Sequence, residues 1–227
     1  MPEHRPPYLS ASRLALYDRC PAAYAERYVL KLPEQPGWEQ WLGKAVHAGL
    51  EAHYNGQDYE LAYIRYWYNA KKLLAEAGVS MPDAGLSRGL ELIEMVRELG
   101  LVGIPERHFW MIIPGINIPF TGLLDLSNDH EVWDFKMAAF KLAADKADRE
   151  PFQPVLYSLA HADHYGEYPD RFMFCGLPRN AGGLQLVDGT RTPEQIEATL
   201  DRIREIHRLI EDQQFGCTCK KHQEGVA

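Results

Sequence analysis

The chain has 227 residues, 46% hydrophobic content and a formal net charge of −8. That size suits one large domain or a domain with a helical insertion, and no run approaches the ~18 apolar residues of a membrane helix. The acidic balance argues against binding nucleic acid by bulk electrostatics, though not against an enzyme that binds it locally. The opening MPEHRPPYLS has no apolar signal core, so secretion by that route is not expected. Cys20, Cys175, Cys217 and Cys219 are too few and scattered for a disulfide scaffold. A reducing cytoplasm is the expected compartment, with thiols or a metal site open.

Helical signals come first. Residues 8–28 read as a helix capped by Ser10 or Ser12 and kinked at Cys20–Pro21. Residues 38–54 form a second, with Val46, Leu50 and Tyr54 on its buried stripe. Gly43 weakens that helix and suits close approach to another element. His47 lies beside the stripe, where a lone histidine is ordinarily structural. Residues 58–77 carry Leu61, Ile64, Trp67, Tyr68, Lys71 and Leu74. Their aromatic density reads as helix–helix core rather than a base-stacking platform. Residues 84–99 form a fourth helix, with Leu86, Leu90, Ile93, Val96 and Leu99 at core spacing.

Strands begin at about residue 107, and Pro114-Gly115 turns the first into a hairpin. Glu106 stands just before it; a place at a metal site and an ordinary exposed glutamate are both open. Residues 118–136, IPFTGLLDLSNDHEVWDFK, read as two strands joined by a polar turn at 127–130. With Leu126 facing Glu131, Asp125 lies opposite Val132. Asp134 is then a diagonal neighbour of Asp125, roughly 7–8 Å away at Cα. Lys136 points the same way, and Leu124, Leu126, Trp133 and Phe135 form the packed face. Two carboxylates at that reach can share a hard divalent cation. The lysine can orient water or offset phosphate charge. For Asp-x-Lys alone, a solvated hairpin face is the competing reading.

Positive charge follows closely, at Lys136, Lys141, Lys146 and Arg149. Residues 151–165 form a helix opened by a proline, with Gln153 and Tyr157 four apart on one face. Strands are expected at 171–177 and 184–187. Thr192-Pro193-Glu194-Gln195 is a capping box, opening a helix to about residue 214. Ile196, Leu200, Ile203, Ile206 and Ile210 face inward along it.

Five motifs now stand in order. Ser12, Leu16, Tyr17, Cys20, Pro21 and Tyr24 come first, then Gly43 and His47, then Gly122 and Asp125. Asp134, Phe135 and Lys136 follow, and Gln153 and Tyr157 close the series. Together they resemble the PD-(D/E)XK nuclease superfamily in its RecB-like branch. The resemblance implies an α/β, restriction-endonuclease-like fold: a central mixed β-sheet flanked by helices, with an N-terminal helical block. One domain over 1–227 is expected, with its helical part at about 8–100, its sheet core at about 106–190 and a C-terminal helix at about 193–214. The resemblance makes His47, Asp125, Asp134 and the Phe135 carbonyl ligands of magnesium or manganese. Lys136 would orient or activate water, and Gln153 and Tyr157 would organise the site and touch the DNA backbone. The implied activity is metal-dependent DNA cleavage, as an exonuclease on ends or single strands, in recombination, repair or phage replication. A helicase or recombinase partner and a cytoplasmic setting go with it.

Some members of this branch carry an iron–sulfur cluster on four cysteines. Cys20 matches the first, but the tail offers only Cys217 and Cys219, and neither His222 nor Cys175 is expected to complete the set. A free-thiol tail with Cys20 buried is therefore preferred to a cluster. The alternative to catalysis is an inactive nuclease-like fold that binds nucleic acid or protein. The acidic charge and incomplete cysteine set favour it; the full Asp…Asp-x-Lys set weighs against it.

Overall fold

The structure, a computed structural model, describes residues 8–33, 37–139, 142 and 145–216. The Ser10 side chain accepts from the Arg13 N–H and opens α1 (Ala11–Arg19). Pro21 lacks the N–H needed to continue that helix, so the expected kink is a complete break. Cys20 turns extended there, and its thiol caps α2 (Pro21–Tyr24) by accepting from Ala23 N–H at 3.4 Å. A π-helical turn (Ala25–Val29) follows.

The helical block continues with α3 (Trp38–Tyr54), α4 (Tyr59–Glu76) and α5 (Ala84–Arg97). The buried stripe of α4 is Tyr63, Trp67, Ala70 and Leu74. Tyr63 and Trp67 are core, as expected, but Leu61 and Tyr68 occupy the opposite side and are exposed. In α5 the expected leucine stripe is also displaced: Leu99 is exposed, and Leu86 and Leu90 are half-buried. The reason is bare backbone. The Trp67 ring lies against Gly85 and the Tyr63 ring against Gly89, and the Tyr63 hydroxyl donates to the Gly85 carbonyl at 2.9 Å. A Cβ at Gly89 would collide with that ring.

Five strands then form one sheet: β1 (Ile104–Met111), β2 (Phe120–Ser127), β3 (Glu131–Ala138), β4 (Arg171–Pro178) and β5 (Gln185–Asp188). Their spatial order is β1-β2-β3-β4-β5. The β3–β4 pair is parallel and the others antiparallel. A parallel pair needs a crossover, and α6 (Lys146–Arg149) and α7 (Phe152–Tyr165) lie on it. The predicted capping box is present at Thr192 and Gln195 and opens α8 (Pro193–Glu211).

The interior position of β4 shows in its side chains. Phe172 and Phe174 enter one buried cluster with residues of α1, α7 and α8. Met173, Cys175 and Leu177 enter another with α3, α4 and α5. The result is a mixed sheet covered by helices on both faces, with the helical block on one of them, as the sequence implied.

The hairpin register differs from the expected one. Leu126 pairs with Trp133 and Ser127 with Val132, two residues from the Leu126–Glu131 pairing expected. Asn128 is the cause. Its side-chain oxygen accepts from the N–H groups of His130 and Glu131 at 2.9 and 2.8 Å, which centres the turn on Asp129–His130. The ladder stops at Leu126–Trp133, so Asp125 and Asp134 form no ladder pair, and the Asp125 side chain takes the Phe135 N–H instead. Leu124 also departs from expectation. It is buried on the α7 and α8 side with Phe120 and Val132, while Leu126, Trp133 and Phe135 are buried on the α3 side. Side-chain alternation resets at Asp125, where the β1–β2 ladder skips Glu106 and Asp125.

Candidate metal centre

Three elements deliver the site. On α3, Gly43 lets the helix approach β3: a Cβ there would sit 3.2 Å from Met137 Cγ. One turn later, His47 points at the sheet. Its Nε2 lies 3.0 Å from the Phe135 carbonyl oxygen. Its Nδ1 lies 3.4 Å from Glu106 Oε1 and 3.6 Å from Asp125 Oδ1. The donor atoms of His47, Glu106 and Asp125 all fall within 4.8 Å of one another.

β2 and β3 supply the rest. Their ladder ends at Leu126–Trp133, and beyond it Phe135 N–H donates to Asp125 Oδ2 at 2.7 Å. Asp134 is only 2% exposed and ion-paired with Lys136, Nζ to Oδ2 at 3.1 Å. From α7, Gln153 Nε2 donates to Asp134 Oδ1 at 2.5 Å. Oδ2 of Asp134 is buried, with the Lys136 ammonium as its partner.

The electrostatics are those of crowded negative charge. Burial alone would lower the His47 imidazole, but Asp125, Glu106 and Asp134 outweigh it and raise it to about 9. Burial pushes the Asp125 carboxyl up, and neighbouring Asp134 adds to that. His47, Lys136 and the Phe135 N–H oppose it without reversing it. Burial would likewise lower Lys136, but Asp134 and Asp125 hold it above its ordinary range, so it stays an ammonium. Burial, then Asp134 and Asp125, keep the Tyr157 phenol well above its usual range. Tyr157 is therefore a hydroxyl at neutral pH and no candidate base.

A family model described as the PD-(D/E)XK nuclease superfamily matches residues 8–222. The chain belongs to the PD-(D/E)XK nuclease superfamily. A comparison with curated proteins finds no match. For a chain of this superfamily with such an acidic cluster, a divalent cation is the group to test against it. The donors fit: one imidazole, two carboxylates and a nearby backbone carbonyl form the oxygen-rich set that magnesium or manganese takes. The raised His47 and Asp125, with three carboxylates crowded round one imidazole and one ammonium, mark a place where cationic charge is in demand.

Of the residues singled out from the sequence, His47, Asp125, Asp134, Phe135, Lys136 and Gln153 meet through the contacts above. Tyr157 lines the same cleft as Gln153 and Lys136. Asp134 stands outside the three-donor group, held by Lys136 and Gln153. Glu106 enters that group. Sequence left it open, because its position depends on a backbone conformation no motif announces: Glu106 has φ +46 within β1. A left-handed residue costs roughly 1–2 kcal/mol unless it is glycine. We therefore expect Glu106→Gly to be more stable than Glu106→Ala by about 1 kcal/mol in chelator. Denaturant midpoints check this, and equal stability of the two variants would contradict a left-handed backbone.

The cysteines divide. Cys20 is buried at the cap of α2. Cys175 is buried in the sheet, where burial and Asp134 push its thiol up to about 12, far from a thiolate ligand. Cys217, Cys219 and His222 lie outside the described residues, as does Lys141. Among the described residues no helix is long and apolar enough to cross a membrane.

Two clefts meet at Lys136 and Met137. One, of about 800 Å³, is bordered by His47, Glu106, Leu123 and Arg179. The other, of about 610 Å³, is bordered by Arg19, Arg27, Thr121, Lys146 and Gln153. The second cleft is the basic one: Arg19, Arg27, Lys136 and Lys146 line it against one acid, Glu150, which pairs with Lys146.

Proposed function

We propose that this chain is a divalent-metal-dependent deoxyribonuclease of the RecB-like branch, acting as an exonuclease on DNA ends or single strands. The observation that carries the reading is the convergence of His47, Glu106 and Asp125 on one small volume, next to the Asp134–Lys136 pair. His47, Asp125, Asp134 and the Phe135 carbonyl would hold magnesium or manganese, with Glu106 added to the set. The bound cation supplies Lewis acidity towards the scissile phosphate and makes water a better nucleophile at neutral pH.

The chain's own residues do the rest. Lys136 stays cationic and reaches the cleft, so its ammonium can orient the attacking water or offset negative charge building on the phosphate. Gln153 fixes the Asp134 carboxylate through Oδ1, leaving Oδ2 towards Lys136. Tyr157 keeps its proton, so its hydroxyl can donate a hydrogen bond to a phosphate oxygen. Arg19, Arg27 and Lys146 border the cleft that would carry the backbone.

The test is digestion of end-labelled linear and closed circular DNA, single- and double-stranded, with manganese and with EDTA. Loss of label from linear DNA with manganese, intact circles and no cleavage in EDTA are expected. Cutting of closed circles would replace the exonuclease reading by an endonuclease. Failure to cut any DNA with manganese or magnesium would overturn the reading.

A further inference from the structure

Beside this site the sheet carries an aromatic surface that the proposed chemistry does not use. Leu9 bridges Phe120, with Leu9 N–H donating to the Pro119 carbonyl at 2.8 Å and Thr121 N–H to the Leu9 carbonyl at 3.0 Å. Leu9 and Phe120 are buried on the α7 and α8 side. Their chain neighbours Tyr8 and Thr121 turn away from that core. Trp110 pairs with Thr121. Its neighbour Phe109 rests edge-on against Tyr157 of α7, so Trp110 turns outward and is 62% exposed.

Tyr8 and Trp110 meet there with ring centroids 6.5 Å apart. The Arg13 guanidinium is held between two rings, 4.2 Å from Tyr8 and 4.3 Å from Tyr28. It also donates to the Tyr8 carbonyl at 3.3 Å. Tyr8 is thus braced before any ligand arrives. Thr121, the partner of Trp110, borders the basic cleft that contains Lys136, Gln153 and Tyr157, and Arg27 of the same cleft lies 5.4 Å from the Tyr28 ring. It stands four residues from Asp125 on β2, about 13 Å at strand spacing.

We infer that Tyr8 and Trp110 form a base-stacking platform that holds unpaired DNA bases next to the scissile phosphate. The inference rests on the nuclease reading and names its substrate: a single strand. Duplex bases are already stacked on one another, so only an unpaired base can lie on an exposed ring. Charge complementarity selects the same ligand. In a chain of net charge −8, the cleft adjoining the platform is bordered by Arg19, Arg27, Lys136 and Lys146 against one acid, Glu150. Basic groove and aromatic rings together are what sequence-tolerant single-strand binding uses.

The test is fluorescence anisotropy with a labelled oligothymidylate and a blunt duplex of equal length, in EDTA to prevent cleavage. Wild-type protein should bind the single strand more tightly. Trp110→Ala should weaken that binding roughly 5- to 150-fold, the range that losing one stacked base gives, and Trp110→Phe should recover most of it. With manganese, Trp110→Ala should raise KM for single strands and leave kcat within about twofold. The exposure of Trp110 makes a folding defect an unlooked-for result, and an unchanged melting temperature verifies the variant. A wild-type protein that cleaves DNA while Trp110→Ala binds single strands equally well overturns the platform alone. A preference for duplex overturns it too. A wild-type protein that neither binds nor cuts DNA overturns platform and nuclease reading together.

Discussion

Asp125→Asn is expected to lower manganese-dependent DNA cleavage by about a thousand-fold or more and to erase the thermal stabilisation that manganese confers. Asp125 is the residue through which the site is assembled. One carboxylate oxygen takes the Phe135 N–H and the other faces His47. An amide keeps the size and the first hydrogen bond but withdraws the negative charge. A cation contributes several kcal/mol to such a transition state, and each 1.36 kcal/mol is a factor of ten. The second readout is independent of turnover. A ligand at a hundred times its dissociation constant stabilises the folded state by about 2.7 kcal/mol, so wild-type protein should melt higher in manganese than in EDTA. The variant should melt at the same temperature in both. A variant that still gains stability from manganese would show that the cation sits elsewhere.

Lys136→Met should abolish cleavage and also destabilise the protein by about 3 kcal/mol, a loss that Asp134→Asn in the same chain should largely restore. Asp134 is 2% exposed, and Lys136 is the cation paired with it. Removing one partner of a buried ion pair leaves an uncompensated charge, at about 3–5 kcal/mol. The amine end of Lys136 reaches the cleft, which places the expected cost at the low end. Neutralising Asp134 as well removes the orphaned charge, while Gln153 can still donate to the amide oxygen. The double variant should therefore be stable and inactive. Denaturant unfolding of the four chains in this cycle measures the coupling. Additive losses would mean that the pair is not a buried unit.

The reach of sequence reasoning here follows from what each residue's position depends on. α3, α7 and α8 were legible because apolar period, caps and prolines act within one or two turns. Val46 and Leu50 show this, as do Thr192 with Gln195. His47, Asp125, Asp134 and Lys136 were legible as a set through spacing and order, not through any contact sequence could display. What escaped depends on backbone detail or on partners distant in sequence. Glu106 needed a left-handed residue within a strand. The face of α5 was hidden because glycine contributes nothing to a hydrophobic pattern, though Tyr63 and Trp67 press on it. Trp110 and Tyr8 are a hundred residues apart in the chain and meet only because Leu9 bridges β2.

The turn at Asn128 has a bearing on how this chain can vary. Surface hairpin loops ordinarily absorb an extra residue at small cost. Here the loop length sets which β3 side chain confronts Asp125. One inserted residue would slide β3 by a position and swap the faces of every side chain along it, sending Asp134 and Lys136 to where Trp133 and Phe135 now sit. This loop is therefore a ruler for the reaction centre, and natural length variation should be tolerated at the glycine-rich loop between β4 and β5 long before it is tolerated here.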